Sequence, residues 1–252
     1  MTLVSVLLCS NRVDNYFYTS IESILEQDFK DLELIIILNG DAFTKLQDVK
    51  ATFSTYSNIK LFGTNIPGLT HSLNIGLDHA SGKYIARMDA DDIAYLSRIS
   101  TQLEFMDKNP EICVCGSSFN LIDSLGAIIQ YVSRPISDLE IRKSLVFKNP
   151  LCHPTVMYRK DIICQAGGYQ TGDFAEDYNL WVRLSRNPKN KFVNLEKPLL
   201  GYRILSNGDA RRSRAAYQSV STTQWNEFIN TGSIKWLISS VLSLAKAIFL
   251  GK

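Results

Sequence analysis

The chain has 252 residues, 45% of them hydrophobic and 21% charged, with a formal net charge of +2. That length and composition fit a globular protein, large for one domain but reachable for an α/β fold with a big buried sheet. The near-neutral balance excludes a broad basic field, and with it wholesale nucleic-acid binding.

Residues 1–9 form a short apolar run without a basic flank, so a first strand is expected there and not a signal peptide. No stretch reaches the ~18 to 20 uninterrupted apolar residues of a spanning helix. The five cysteines (Cys9, Cys113, Cys115, Cys152 and Cys164) are scattered and lack C-x-x-C spacing. All five are expected to be reduced thiols in a cytoplasmic protein. Cys113 and Cys115, two apart in a strand-like run, are expected to face the same way.

In chain order, a Val/Leu run at 3–8 breaks at Ser10-Asn11-Arg12, and Phe17, Ile21, Ile24 and Leu25 then recur at helical spacing. A second apolar run, 34–38, ends at Asn39-Gly40-Asp41. Runs apolar on both faces and joined by helices predict a parallel sheet covered on both sides. Residues 59–62 are a third strand; Leu73, Leu77 and Ala80 make a helical stripe stopped by Ser81-Gly82. The strand at 84–88 runs into Asp89-Ala90-Asp91-Asp92. A helix with Leu96, Ile99, Leu103 and Met106 on one face stops at Asn109-Pro110, and a strand follows at 112–115. Segments 120–122 and 128–132 flank a hairpin turn at 123–126. Beyond Pro135 the pattern loosens, with strands expected at 155–158 and 199–204 and a helix at 177–186.

Ligands of open α/β sheets bind beyond the carboxyl ends of the strands. Three strands here end in polar clusters: Ser10-Asn11, Asn39-Gly40-Asp41 and Asp89-Ala90-Asp91-Asp92. Three acids in four positions repel one another, and two readings fit. A divalent cation offsets their charge, and oxygen ligands suit Mg²⁺ or Mn²⁺. Alternatively, the acids sit at a helix N-terminus and favour its dipole.

The segments LTHSLNIGL (69–77) and ASGKYIARMDADD (80–92) strongly resemble the donor-binding half of glycosyltransferase family 2. The opening strand, the Ser10-Asn11 break and the IESILEQ helix (21–27) agree with it. His153-Pro154-Thr155-Val156, Gly167-Gly168-Tyr169, Ala175-Glu176-Asp177-Tyr178 through Trp181, and Tyr202-Arg203 resemble the acceptor half in order and spacing. The resemblance covers about residues 2 to 205.

It implies an α/β GT-A fold: a mostly parallel central sheet flanked by helices, with a catalytic domain over 1–210. The donor half would span about 1–117 and the acceptor half about 118–210. It also implies displacement with inversion from a UDP-hexose to a lipid-linked or growing surface glycan. Ser10, Asn11, Arg12, Asn39 and Asp89 would bind the donor nucleotide, and Asp91 would ligate the Mn²⁺ or Mg²⁺. Asp92 would be a helix cap or a support behind the ligands. Asp177 would be the general base, with Glu176 positioning; the alternative is that both acids only cap their helix. His153 would touch acceptor or phosphate or be structural, and Trp181 would stack on a sugar or pack in the core. Arg203 is a further acceptor or diphosphate contact.

Two positions depart from the family. Asn39 stands where an Asp reads the base, although its amide still pairs with a uracil edge. Leu205 stands where a His often follows the Tyr-Arg pair; Arg211, Arg212 or Arg214 replaces its contact, or else forms a basic surface patch. A sugar-1-phosphate nucleotidyltransferase would need a Gly-rich loop after the first strand, and a nicotinamide dehydrogenase a G-x-G-x-x-G; Ser10 to Asp14 contains no glycine. A catalytically inactive binding module is disfavoured by the presence of Asp89, Asp91 and Asp177.

Residues 211–252 read as a basic, amphipathic helical tail. Leu237, Val241, Leu244 and Ile248 share one face, opposite Lys235, Ser239, Ser243 and Lys246, with Trp236 at the edge. That layout predicts peripheral docking on the inner face of the cell membrane, helped by Arg211, Arg212, Arg214 and Lys252. The alternative is a helix packed on the catalytic domain or on a second subunit of a homo-oligomer.

Overall fold

The computed structural model describes residues 3–170, 174–204 and 213–249; Arg211, Arg212, Leu205, Asp173 and Lys252 lie outside them. The strands in chain order are β1 (Val4–Ser10), β2 (Leu32–Asn39), β3 (Ile59–Thr64), β4 (Tyr84–Asp89), β5 (Ile93–Ala94) and β6 (Ile112–Ser117). They continue with β7 (Phe119–Ile122), β8 (Ile128–Val132), β9 (Met157–Arg159), β10 (Lys191–Leu195) and β11 (Leu200–Arg203). The helices are α1 (Asn15–Leu25), α2 (Leu46–Thr52), α3 (Leu69–His79), α4 (Arg98–Lys108) and α5 (Asp138–Leu145). After them come α6 (Lys160–Gln165), α7 (Glu176–Ser185), α8 (Arg214–Thr231) and α9 (Ile234–Phe249).

Seven strands form the central sheet in the order β10-β6-β9-β4-β1-β2-β3, and only β9 runs against its neighbours. Every residue of β1 and β2 is buried, as a sheet covered on both faces requires. Alternate side chains feed two core layers. Val6, Leu8, Leu34 and Ile36 meet Phe17 and Ile21 of α1 and Ile99 and Met106 of α4. Leu7, Cys9, Ile35 and Ile37 meet Leu73 and Leu77 of α3, Ile163 of α6, and Leu180 and Trp181 of α7. A smaller sheet, β5-β11-β7-β8, lies beyond the acidic loop and includes the expected hairpin.

Several expectations need correction. Leu96 precedes α4 and is exposed. Thr155 belongs to a 3₁₀ turn, His153–Thr155, and the strand starts only at Met157. Cys113 and Cys115 fall in different core layers because the pairing of β6 with β10 slips by one residue at Cys113. Such a bulge flips the alternation that places i and i+2 on one face. All five cysteines are free.

The tail departs most. α8 is capped by Ser213, whose hydroxyl accepts from Ala216 N, and ends at Gly232 with φ +66, a conformation that glycine adopts without a Cβ penalty. The chain then reverses into α9, which packs its serines onto α8. Ser221 and Ser240 exchange hydroxyl and carbonyl hydrogen bonds near 2.9 Å, and Ser243 donates to Gln224 Oε1 at 2.7 Å. Ser239 and Ser243 therefore face inward, and Trp236 is half-buried against the core. Ile234, Ile238, Val241, Leu242, Ile248 and Phe249 stay exposed, Phe249 at 81%. Among the described residues, no helix is long and apolar enough to cross a membrane.

Candidate active site

The register of the central sheet brings the expected donor residues to one end. Cys9 pairs with Asp89 and Ser10 with Leu38, so Ser10, Asn39 and Asp89 close neighbouring strands. The order β2-β1-β4 makes this a topological switch point, where a crevice forms. Ser10 is buried, and its hydroxyl donates to Arg12 O at 2.6 Å, which curls the loop back. Asn11 is exposed and Asn39 is buried. Arg12 Nη2 donates to Asp91 Oδ2 at 2.8 Å, and its Nε lies 3.2 Å from Asp14. Asp14 also caps α1 through Phe17 N.

Asp89, Asp91 and Asp92 each offer a carboxylate oxygen, and these atoms all lie within 4.8 Å of one another. Asp89 is ion-paired with the buried Arg87, while Ser20 Oγ on α1 donates to Asp89 O at 2.8 Å. Burial and the neighbouring carboxylates push Asp91 up, and push Asp92 well up. Asp92 caps no helix, since α4 begins at Arg98. Its Oδ1 accepts from Arg203 N at 2.9 Å, and its Oδ2 is buried without a hydrogen-bond partner among the described residues. An orphaned carboxylate oxygen beside two further acids is a donor set that fits a hard divalent cation.

Arg203 acts as a strut. Nε donates to Asp91 O at 2.8 Å, and Nη1 to Asp123 O and Ser124 O at 2.8 and 2.9 Å. The guanidinium also lies over the Tyr16 ring, 4.6 Å from its centroid. It ties the acidic loop to the hairpin and to α1, so these donors are not free for an acceptor or a diphosphate.

The second acid pair opens α7. Ala175, before it, has φ +61 and is the one non-glycine residue at positive φ among the described residues. A left-handed alanine costs roughly 1–2 kcal/mol, and such strain tends to collect at functional sites. Glu176 is buried and pushed up to about 8, by burial first and then by the charge of Asp177. Asp177 is only partly buried by surface, and burial raises it too. Two donors oppose that rise: Tyr178 N to Oδ1 at 2.7 Å, and Asn149 Nδ2 to Oδ2 at 2.6 Å. Burial thus biases both acids toward the protonated form, and the two donors favour the ionised form of Asp177.

His153 sits behind this pair. Nε2 meets Tyr169 OH at 2.9 Å, and Nδ1 approaches Glu176 Oε1 at 3.6 Å. Burial, and secondly Arg87, hold the imidazole well below its usual range, so it is neutral. Trp181 is fully buried, edge-on to His153 and Tyr158, and cannot stack on a sugar.

Sequence reasoning passed over Arg87 and Asn149. Arg87 interrupts the apolar strand Tyr84–Met88, and a charge inside a central strand is itself a signal. It is 1% exposed and acts on both acid groups, raising the ionised fraction of Asp91, Glu176 and Asp177. Asn149 carried no comparable signal, because it lies in a segment without periodicity.

Known proteins share these features. The family profile of Glycosyl transferase family 2 matches residues 5–165. An O-antigen biosynthesis glycosyltransferase of Escherichia coli, WbnJ, is 34% identical over 250 residues, covering 98% of this chain and 97% of the relative. Also from Escherichia coli, a UDP-Gal:alpha-D-GlcNAc-diphosphoundecaprenol beta-1,3-galactosyltransferase is 31% identical over 221 residues, 84% of this chain and 78% of the relative. The mannosyltransferase PcManGT from Pyrobaculum calidifontis, solved in complex with GDP-Man and Mn²⁺, superimposes with a TM-score of 0.67. It is 14% identical, with 99% of this chain and 76% of that one covered, a likeness of fold that makes this an α/β GT-A protein. With motifs in order along the cleft and a relative aligned over nearly the whole length, the chain belongs to glycosyl transferase family 2 and is a glycosyltransferase.

Proposed function

We propose that the enzyme moves a hexose, glucose or galactose in preference to N-acetylhexosamine, from its UDP donor to a hydroxyl of a lipid-linked or growing surface glycan, with inversion. O-antigen, capsule and lipooligosaccharide are the glycan classes in view. The observation that carries this reading is two acid groups, one following β4 and one opening α7. Asp89 and Arg87, on the donor side, both act electrostatically on Glu176 and Asp177. The relatives support the substrate class, since one is named for O-antigen biosynthesis and another for UDP-Gal and a diphosphoundecaprenol acceptor.

The reading gives the residues these roles. Asn39, buried at the end of β2, pairs with the uracil edge, and Asp89, oriented by Arg87, accepts from the ribose. Ser10 and Asn11 line the same crevice. Asp91 is the principal ligand of Mn²⁺ or Mg²⁺, with Asp92 behind it; a bound cation supplies charge neutralisation on the departing diphosphate. Arg12 holds Asp91 through an exposed ion pair, which is weak enough to give way when the diphosphate enters. Asp177, ionised, takes the proton from the acceptor hydroxyl as the oxygen attacks the anomeric carbon. Glu176, protonated and beside the neutral His153, holds the acceptor without adding a second negative charge.

We assign residues 1–210 to the catalytic domain and 211–252 to a tail that sets the enzyme on the inner face of the cell membrane. The exposed apolar face of α9 supports this, flanked by exposed Lys235 and Lys246 with no acidic residue in the helix. Its polar side is satisfied against α8, so the apolar side is free to enter a bilayer interface. The test of the donor is thermal shift with UDP-, GDP- and dTDP-sugars in Mn²⁺, followed by NMR of the product anomer. UDP-hexose should stabilise the protein and give a β-glycoside. Stabilisation by a non-uridine nucleotide alone contradicts the donor, and an α-linked product contradicts inversion.

A further inference from the structure

Asn149 lies between α5 and the 3₁₀ turn at His153–Thr155, half-buried, and its amide is held at both ends. Nδ2 donates to Asp177 Oδ2 at 2.6 Å, and Oδ1 accepts from Leu151 N at 3.2 Å. The Leu151 N–H needs an acceptor, so the amide cannot be flipped, and its NH₂ must face the carboxylate. The segment is pinned on either side. Gln224 Nε2 on α8 donates to Val146 O at 3.1 Å, and Asn194 Nδ2 on β10 donates to Pro150 O at 3.3 Å. Gln224 is itself fully buried and held by Ser243 of α9.

We propose that Asn149 is a positioning residue for the catalytic base, aiming the Asp177 carboxylate and keeping it ionised. The proposal rests on the reading of Asp177 as base. Tyr178 N occupies one lone pair of Oδ1 and Asn149 one of Oδ2, so each oxygen keeps one lone pair in a fixed direction for the acceptor hydroxyl. A carboxylate held by two donors cannot rotate to bury its basic lone pairs. The charged groups acting on Asp177 are Glu176 from its own helix and Arg87 and Asp89 from β4. The segment after α5 contributes the neutral Asn149, and α8 the neutral Gln224, which reaches Tyr178 OH at 3.2 Å. Burial raises Asp177, and the Asn149 hydrogen bond opposes that rise. Removing the donor therefore shifts the proton toward Asp177.

The experiment compares Asn149→Ala, the near-isosteric Asn149→Asp and Asp177→Asn with the parent enzyme. Two readouts are taken: NMR titration of ¹³C-labelled aspartate carboxyls, with Asp177 assigned by its loss in Asp177→Asn, and the pH profile of kcat/KM. The kinetic probe is UDP-galactose, Mn²⁺ and a short-chain lipid-diphosphate-linked N-acetylglucosamine. In Asn149→Ala the Asp177 titration should move to higher pH. Its kcat should drop about 10- to 100-fold near neutrality, the scale of one charge-assisted hydrogen bond, and recover as pH rises. Asn149→Asp, which replaces the amide donor by a second carboxyl against Asp177, should raise the Asp177 titration further and lose as much or more. An unmoved Asp177 titration in both variants overturns the proposal, as does a deficit constant across pH with a lowered thermal midpoint. Normal turnover by Asp177→Asn instead overturns the base reading on which it rests, and the titration separates the two failures.

Discussion

The site residues include two groups of acids with opposite arrangements. Asp89, Asp91 and Asp92 stand at a strand end, with Asp91 reached by an exposed arginine and one oxygen of Asp92 left without a hydrogen-bond partner among the described residues. Glu176 and Asp177 stand at a helix start, where buried neighbours occupy them: a neutral imidazole, a backbone N–H and a side-chain amide. The first group is crowded with like charge, which a bound cation would relieve. In the second, burial favours the protonated form of both acids, opposed at Asp177 by its two hydrogen-bond donors. Charge relieved by metal suits a diphosphate leaving group, whereas charge relieved by a proton suits proton transfer. The proposed roles differ because the surroundings of the same residue type differ.

The sharpest way to break this comparison is Asp91→Ala, for which calorimetry should find no Mn²⁺-dependent donor binding. Retained binding would move the metal site elsewhere. Arg203→Ala should weaken metal-dependent UDP affinity by about 10- to 100-fold, the usual cost of losing a support behind a ligand, because Asp91 and Asp92 lose their tie to the hairpin. Glu176→Gln sharpens the other half. The folded pKa near 8 exceeds the ordinary 4.5, so the folded state retains a proton that the unfolded chain releases. Stability therefore declines as pH climbs from about 4.5 to about 8. A glutamine carries no such penalty, and Tm should rise at pH 8 and stay level at pH 5, at about 2–4 °C per kcal/mol for a chain of this size. Equal Tm at both pH values would show that Glu176 is not held protonated. The smallest effect is expected from Ile238→Glu with Val241→Glu. These surface changes should leave Tm and turnover on a soluble acceptor nearly constant while sedimentation with anionic liposomes falls several-fold. A change in oligomeric state with unchanged liposome binding would assign that face to a second subunit.

The parallel strands and their polar ends were legible because burial on both faces leaves a continuous apolar run, as in β1 and β2. The cluster Asp89-Ala90-Asp91-Asp92 was legible for the same reason, as an abrupt polar stop. β10 and α5 were not, being short elements whose partners are distant in sequence. α8 falls inside the expected helical tail, but its packing side was hidden because its buried face includes Ser221, Thr223, Gln224 and Glu227, satisfied by hydrogen bonds, while Trp225 and Ile229 point outward. Periodicity detects apolar burial only, and α9 shows the same inversion. Its stripe was visible in the sequence, but which side faces inward depended on the serines finding partners on α8. The fixed orientation of Asp177 was equally hidden, since Asn149 stands 28 positions away.

The central claim is that Asp177 removes the acceptor proton while the Asp91 side binds donor and metal. Its most direct test is Asp177→Asn, with donor affinity and turnover measured on the same preparation with UDP-hexose and Mn²⁺. Donor affinity should equal that of the parent enzyme, and turnover should fall by ~10² to 10⁴-fold, the scale of a lost general base. Turnover at the parent rate would contradict the account.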